Sequence, residues 1–188
     1  MTTVRIELEV GPLEHPLDGS ELDWFETILH GSTDFALVNS GVQMAGFQPD
    51  AGVLERRRLK GLFQGVDALT EPGMGYLRLF EWPGTKALDE RFMAHGPLTS
   101  PVRDFLRRAT SRLFETYGGG WDDLCLMQNN RLVFFNCTHE GFGSVFGDRA
   151  FFQQLPLSIE PRAPSHAGYR IRGETLDSQL VRNLTAPG

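Results

Sequence analysis

Cysteine is scarce in this chain, with two among 188 residues. Two thiols are too few for a disulfide framework, which points to a reducing, cytoplasmic setting. Long apolar runs are missing too. None approaches the ~18–20 residues that carry a helix across a bilayer. The first ten residues, Met1 to Val10, lack a basic stretch followed by an apolar one, so no secretory leader is expected. The five histidines, His15, His30, His95, His139 and His166, show no i, i+4 pair, and no Cys-x-x-Cys occurs. Neither a metal site nor a cofactor is therefore expected. No internal repeat is present.

Basic residues are nearly absent from the first fifty positions, where Arg5 stands against Glu7, Glu9, Glu14, Asp18, Glu21, Asp23, Glu26, Asp34 and Asp50. That stretch has a net charge of −8, in a chain whose total is −6. The basic run Arg56-Arg57-Arg58-Leu59-Lys60 follows it. An acidic balance repels phosphate backbones and argues against a nucleic-acid binder, while favouring encounter with a basic surface.

What remains is an ordinary globular composition, 40% hydrophobic and 22% charged, of a length that suits one domain over residues 1–188. Thr3–Val10 alternates Val4, Ile6, Leu8 and Val10 against charges, as a half-buried strand does. Gly11-Pro12 and Pro16 are expected to end it. A first helix over 21–30 carries the stripe Leu22, Phe25, Ile28 and Leu29, stopped at Gly31. Asp34–Val38 and Val42–Phe47 flank Asn39-Ser40-Gly41 and suggest a hairpin. Residues 53–66 suit a helix or a strand about equally. Met74–Trp82 reads as a strand, and Thr85 to His95 as a short helix.

The clearest element has Ser100 as its cap and Pro101 at the first helical position. Its stripe is Val102, Phe105, Leu106, Ala109, Leu113 and Tyr117, opposite Arg103, Arg107, Arg108 and Arg112. Leu124–Gln128 and Arg131–Cys137 flank Asn129-Asn130, two residues that tolerate positive φ. A register in which paired numbers sum to 259 puts Cys125 against Phe134 and turns the two thiols to opposite faces. Both faces of that hairpin are apolar, so both are expected to be covered. Tyr169–Arg172 reads as an edge strand, and Leu176 to Leu184 as a terminal helix. These elements predict an α+β fold: a mainly antiparallel sheet with two or three amphipathic helices packed on it.

One local cluster gathers a thiol, an imidazole and a carboxylate: Cys137, His139 and Glu140. A Cys–His pair can supply a nucleophile and its base if the two side chains meet, but strand-end neighbours at this spacing seldom do. The glycine-rich stretches at 73–75, 118–120 and 141–147 lack the lysine of a phosphate loop. Trp24, Trp82 and Trp121 sit at element edges, where aromatics serve interfaces or close cores.

Two functions are expected on these grounds. The first is a cytosolic protein-binding module without catalysis, neutralising in the manner of an immunity or inhibitor protein, or acting as an adaptor. Its partner would carry a basic surface met by Glu21, Asp23, Trp24 and Glu26. The second is a small hydrolase or transferase with a dispersed site around Cys137, His139 and Glu140.

Overall fold

Among the described residues, hydrogen bonding forms nine strands: β1 (Thr3–Val10), β2 (Leu13–Leu17), β3 (Asp34–Asn39), β4 (Gly75–Trp82), β5 (Thr85–Pro97), β6 (Trp121–Gln128), β7 (Arg131–Cys137), β8 (Phe142–Gly147) and β9 (Gly168–Thr175). The computed structural model describes residues 2–17, 24–39, 66–83, 85–110, 121–138, 141–155 and 160–185. All nine strands belong to one sheet in the order β1-β9-β4-β5-β3-β6-β7-β8-β2, and β1 also pairs with β7. That last pairing closes seven strands into a barrel, with β8 and β2 as a two-stranded wing.

The α+β expectation is overturned. Among the described residues the protein is mainly β, with half of them in strands, a closed seven-strand barrel and four short helices. Two features hid this from the sequence. Thr85–Pro97 is one long strand, not a helix, flanked by β4 on one side and β3 on the other. Its Ala, Leu, Glu and Met favour a helix locally, but pairing on both edges overrides that weak preference. The closing contact is also invisible locally, since it joins residues far apart in the chain. It is parallel, at Glu9 opposite Arg131 and Val10 opposite Leu132. An odd number of strands cannot close in strict up-and-down alternation, so one neighbouring pair must run parallel.

Inward and outward faces separate cleanly, as they must where side chains alternate along each strand. The inner cluster takes Leu8, Ala36, Leu77, Met93, Cys125, Phe135 and Ile171, one or more from every barrel strand, and holds no helical residue. The outer cluster holds every buried helical side chain, packed on outward residues such as Phe35, Phe92, Leu126 and Phe134. The helices there are α1 (Phe25–Gly31), α2 (Ser100–Ala109), α3 (Arg149–Phe152) and α4 (Ser178–Thr185).

Several local expectations hold. Val4, Ile6, Leu8 and Val10 share the inner side. Phe25, Ile28 and Leu29 are the buried stripe of α1, and Val102, Phe105 and Leu106 that of α2. Asn129 and Asn130 have φ of 52° and 64°, the left-handed pair that a two-residue hairpin demands.

Others change. The cap of α2 is Thr99, whose side chain accepts from the Val102 N–H at 3.4 Å. Arg103, expected on the wet face, instead donates to the carbonyls of Leu29, Leu98 and Ser32. It satisfies acceptors at the end of α1 that the helix itself leaves open. Pro16 lies within the edge strand β2, where a missing N–H is tolerated. Gly11 allows the β1–β2 corner to form, because a Cβ there would lie 2.7 Å from the Gly147 amide nitrogen. Strand β9 is not an edge, since it pairs with β1 and β4. Both edges of β3 are taken by β5 and β6, so the hairpin expected with Val42–Phe47 is not how β3 is paired. Positions 42–47 and 53–66, apart from Val66, lie outside the described residues, as does the run Arg56–Lys60.

Candidate functional site

The ends of β1, β3, β4 and β7 and the beginnings of β5, β6 and β9 gather at one rim of the barrel, called here the upper mouth. The expected chemistry at Cys137 belongs to this rim. Pairing places Cys125 opposite Phe135 and Leu126 opposite Phe134, whereas Met127 opposes Leu132. A bulge between Leu126 and Met127 shifts the register by one residue along the hairpin. The expected register is therefore right beside the turn and wrong beyond it. As a result Phe134 faces outward and Phe135 inward.

The shift also moves Cys137 opposite Asp123, and the Thr138 N–H donates to Asp123 Oδ1 at 2.8 Å. Cys125 and Cys137 thus share a face as diagonal neighbours, not opposite faces. Diagonal positions stand about 7–8 Å apart, beyond bridging reach. Neither cysteine is in a disulfide, and both are buried. Burial, with the Asp123 charge added, pushes the Cys125 thiol well up, which keeps it in its inert protonated form. His139 and Glu140 lie outside the described residues.

The expected partner-binding residues divide. Glu21 and Asp23 lie outside the described residues. Trp24 is buried, 3% exposed, with its ring 5.2 Å from that of His15. Glu26 is exposed on α1 and accepts from Arg107 Nε of α2 at 2.8 Å. The basic face of α2 therefore meets at least one acid of the first fifty residues. Glu7 likewise meets Arg5 and Arg170, and Glu9 lies 3.9 Å from Arg131. Glu14 is buried, accepting from Ser144 Oγ at 2.6 Å and from the Ser165 N–H at 3.0 Å.

Two charged residues at the upper mouth, Asp123 and Arg91, were not singled out from the sequence, and Trp82 was noted only as an aromatic at an element edge. Asp123 is wholly buried on β6, and Arg91 Nη1 reaches across β3 to within 3.6 Å of Asp123 Oδ2. Arg91 stands opposite Leu79 in the β4–β5 pair, on the same inward parity as Met93. Trp82, three positions further along β4, packs with the inner cluster and is 3% exposed. Trp82 Nε1 and Arg91 Nε and Nη1 are buried with no hydrogen-bond partner among the described residues. A signal existed: Asp123 interrupts an otherwise apolar inward row with Cys125 and Met127. It becomes readable only once the inward parity is known.

Across the mouth, Phe135 stacks on Phe146 at 6.0 Å and tilts against Tyr169 at 5.0 Å. Burial, Glu14 and Cys125 push the Tyr169 phenol up to about 12. Among the described residues no group of three or more metal-binding side chains comes together. Comparison with protein families, with curated proteins and with solved structures finds no match for this chain. No helix of the described residues is long and apolar enough to cross a membrane.

Proposed function

We propose that this protein works by binding and not through a Cys137 nucleophile, and that its partner is a protein with a basic surface. The burial of Cys137 carries the first half: its residue exposure is 0%, on a barrel strand whose edges are both paired. A nucleophile has to meet its substrate, and this residue is wholly buried. The charge of the first fifty residues supports the second half. Glu7, Glu9 and Glu26 pair with arginines, but their side chains are 56%, 80% and 60% exposed. Exposed pairs contribute about 0–1 kcal/mol, so a partner's cations can take those carboxylates over at little cost.

Two measurements test the reading. The native protein, mixed with a thiol-reactive disulfide reagent at neutral pH, should show no fast-reacting cysteine, whereas the denatured protein should show two. A thiol that reacts within seconds in the native state returns the hydrolase or transferase reading. A small basic protein such as lysozyme, titrated at low and high salt, should bind the native chain more tightly than the triple variant Glu7→Gln, Glu9→Gln, Glu26→Gln. Equal binding by the two removes the basic-partner half and leaves the first half standing.

A further inference from the structure

The sheet has two outer margins, and they are finished differently. At β2 the margin is guarded: Glu14 exchanges main-chain hydrogen bonds with Arg162, at 2.7 Å and 2.9 Å, and Pro16 has no N–H to offer. At β1 it is open over residues 3–8. Strand β9 takes one side of β1 from Thr3 to Glu9, while β7 takes the other side only at Glu9 and Val10. The Thr175 N–H donates to the Thr2 carbonyl at 2.9 Å, so the even-numbered residues exchange hydrogen bonds with β9. The N–H and C=O groups of Thr3, Arg5 and Glu7 then point away from β9, toward the side on which β7 pairs Glu9. No described residue bonds to them. Val4 and Ile6 turn inward but keep part of their surface in water, whereas Leu8, next in that row, is buried. A bare strand margin of this kind is a template for another strand.

We propose that β1 adds a strand from a partner protein: an extended segment running antiparallel along Thr3–Glu7, with apolar residues beside Val4 and Ile6, an acid opposite Arg5 and a base opposite Glu7. Strand addition satisfies main-chain donors and acceptors without a preformed pocket, and the alternate side chains choose the partner. The charges set the order of the segment. Arg5 already stands opposite Arg172 across the β1–β9 pair, like against like, and Glu7 is shared between Arg5 and Arg170. A carboxylate on the free side of Arg5 relieves that opposition and releases Glu7 to a cation of its own. These side chains are exposed, so the exchange costs little. A second copy of the chain meets the margin less well, because two-fold pairing over residues 3–7 sets each Arg5 against its own counterpart. The proposal rests on the reading of a binding protein, but not on its basic-surface half, since the segment carries both signs.

The acetylated and amidated peptide Lys-Ile-Glu-Ile-Thr carries that order, and Glu-Ile-Lys-Ile-Thr has the same composition with the charges exchanged. Amide shifts in magnetic resonance spectra of the full chain read the binding. The first peptide should bind saturably, several-fold more tightly than the second, and should move the amides of Thr3, Arg5 and Glu7 more than those of Val4 and Ile6. Methylating its Lys, Glu and Thr nitrogens, which face β1, should weaken binding tenfold or more, while methylating the two Ile nitrogens should leave it nearly unaltered. Arg5→Pro removes an N–H from the margin, leaves the β9 bonds of Val4 and Ile6 in place, and should abolish binding. Arg5→Gln keeps that N–H and should weaken binding several-fold. If Arg5→Pro does not fold, the methylated peptides decide alone. Absence of saturable binding, equal binding of the two peptides, or indifference to which nitrogens are methylated would each overturn the proposal. So would a concentration-dependent dimer of the native chain that Arg5→Pro dissolves, since a second copy would then hold the margin. Failure of both peptides beside intact lysozyme binding overturns the strand addition and leaves the basic-partner reading standing.

Discussion

The inside of the barrel and its helical outside are both apolar, yet they are organised by different rules. The inside is built from strands alone, and every barrel strand contributes to it. Its polar residues Arg91, Asp123 and Cys125 lie toward one end, and His95 lies toward the other. The outside is assembled by helices whose stripes cover outward strand residues, and its polar groups close helix ends. Where Arg103 on the outside has three carbonyl acceptors, Arg91 on the inside has unanswered donors. The arginine on the outside closes a helix end, and the one on the inside stands in an ion pair with Asp123.

Substitutions can break this comparison, and the largest effect should come from the inside. Phe135→Ala removes a ring packed against Phe142, Phe146 and Tyr169 and should cost about 3–5 kcal/mol in a urea melt. Phe105→Ala on the outer face of the sheet should cost about 2–4 kcal/mol, because a short helix can settle into the gap. Equal or reversed costs would mean that the helical layer, not the barrel, is the stability core.

Next in size is Arg103→Ala, which removes the side-chain donor to the carbonyls of Leu29, Leu98 and Ser32 and should cost about 1–3 kcal/mol. Thr99→Ala removes the α2 cap and should cost about 1 kcal/mol. Arg107→Ala breaks exposed pairs with Glu26 and Asp104, so the same melts should show a smaller loss than either. A loss at Arg107 that matches Arg103 would put the α1–α2 ion pair, not the carbonyl closure, in charge of that corner.

Titration sharpens the comparison on both faces. Tyr169 faces inward and Tyr76 outward, and burial pushes both phenols up to about 12. The folded state then holds protons that the unfolded state releases above pH 10. Stability present below pH 10 is lost as pH rises toward 12. Absorbance titration of the native chain should show two late phenols, and Tyr169→Phe or Tyr76→Phe should each remove one. His95, on the inner face, has its imidazole pushed below 6.5 by burial. For a base held neutral the sign reverses: stability is full above pH 6.5 and falls as acid is added. His95→Gln should flatten that fall. A native acid limb as steep in the variant as in the original chain would take His95 out of the account.

How much of this was legible follows from the range of the forces involved. Thr3–Val10, the α1 and α2 stripes and the Asn129-Asn130 turn are local signals, and the residues there say what they form. Thr85–Pro97 was not legible, because good helix formers were enlisted by two neighbouring strands. The register of the 121–137 hairpin was legible for two pairs, until the bulge exchanged Phe134 and Phe135. The Arg91–Asp123 pair was not legible, because the two residues meet only through β3–β5 and β3–β6 pairing. Of the residues picked from sequence for chemistry or contact, Cys137 and Trp24 turn out to be buried, and Glu26 pairs with Arg107.

The seam between β1 and β7 sets the order of events when the chain folds. Hairpins β4–β5 and β6–β7 need only short turns and form early, at little entropic cost. The seam joins Glu9 and Val10 to Arg131 and Leu132 and exists only when all seven strands are in place. It is expected to be the last contact made and the first lost, because it joins segments far apart in the chain. A destabilising change at Val10 or Leu132 therefore speeds unfolding and leaves the refolding rate nearly unaltered, while one at the Asn129-Asn130 turn slows refolding. Resistance to opening thus resides in a contact two residue pairs wide, and the lifetime of the native state is set there.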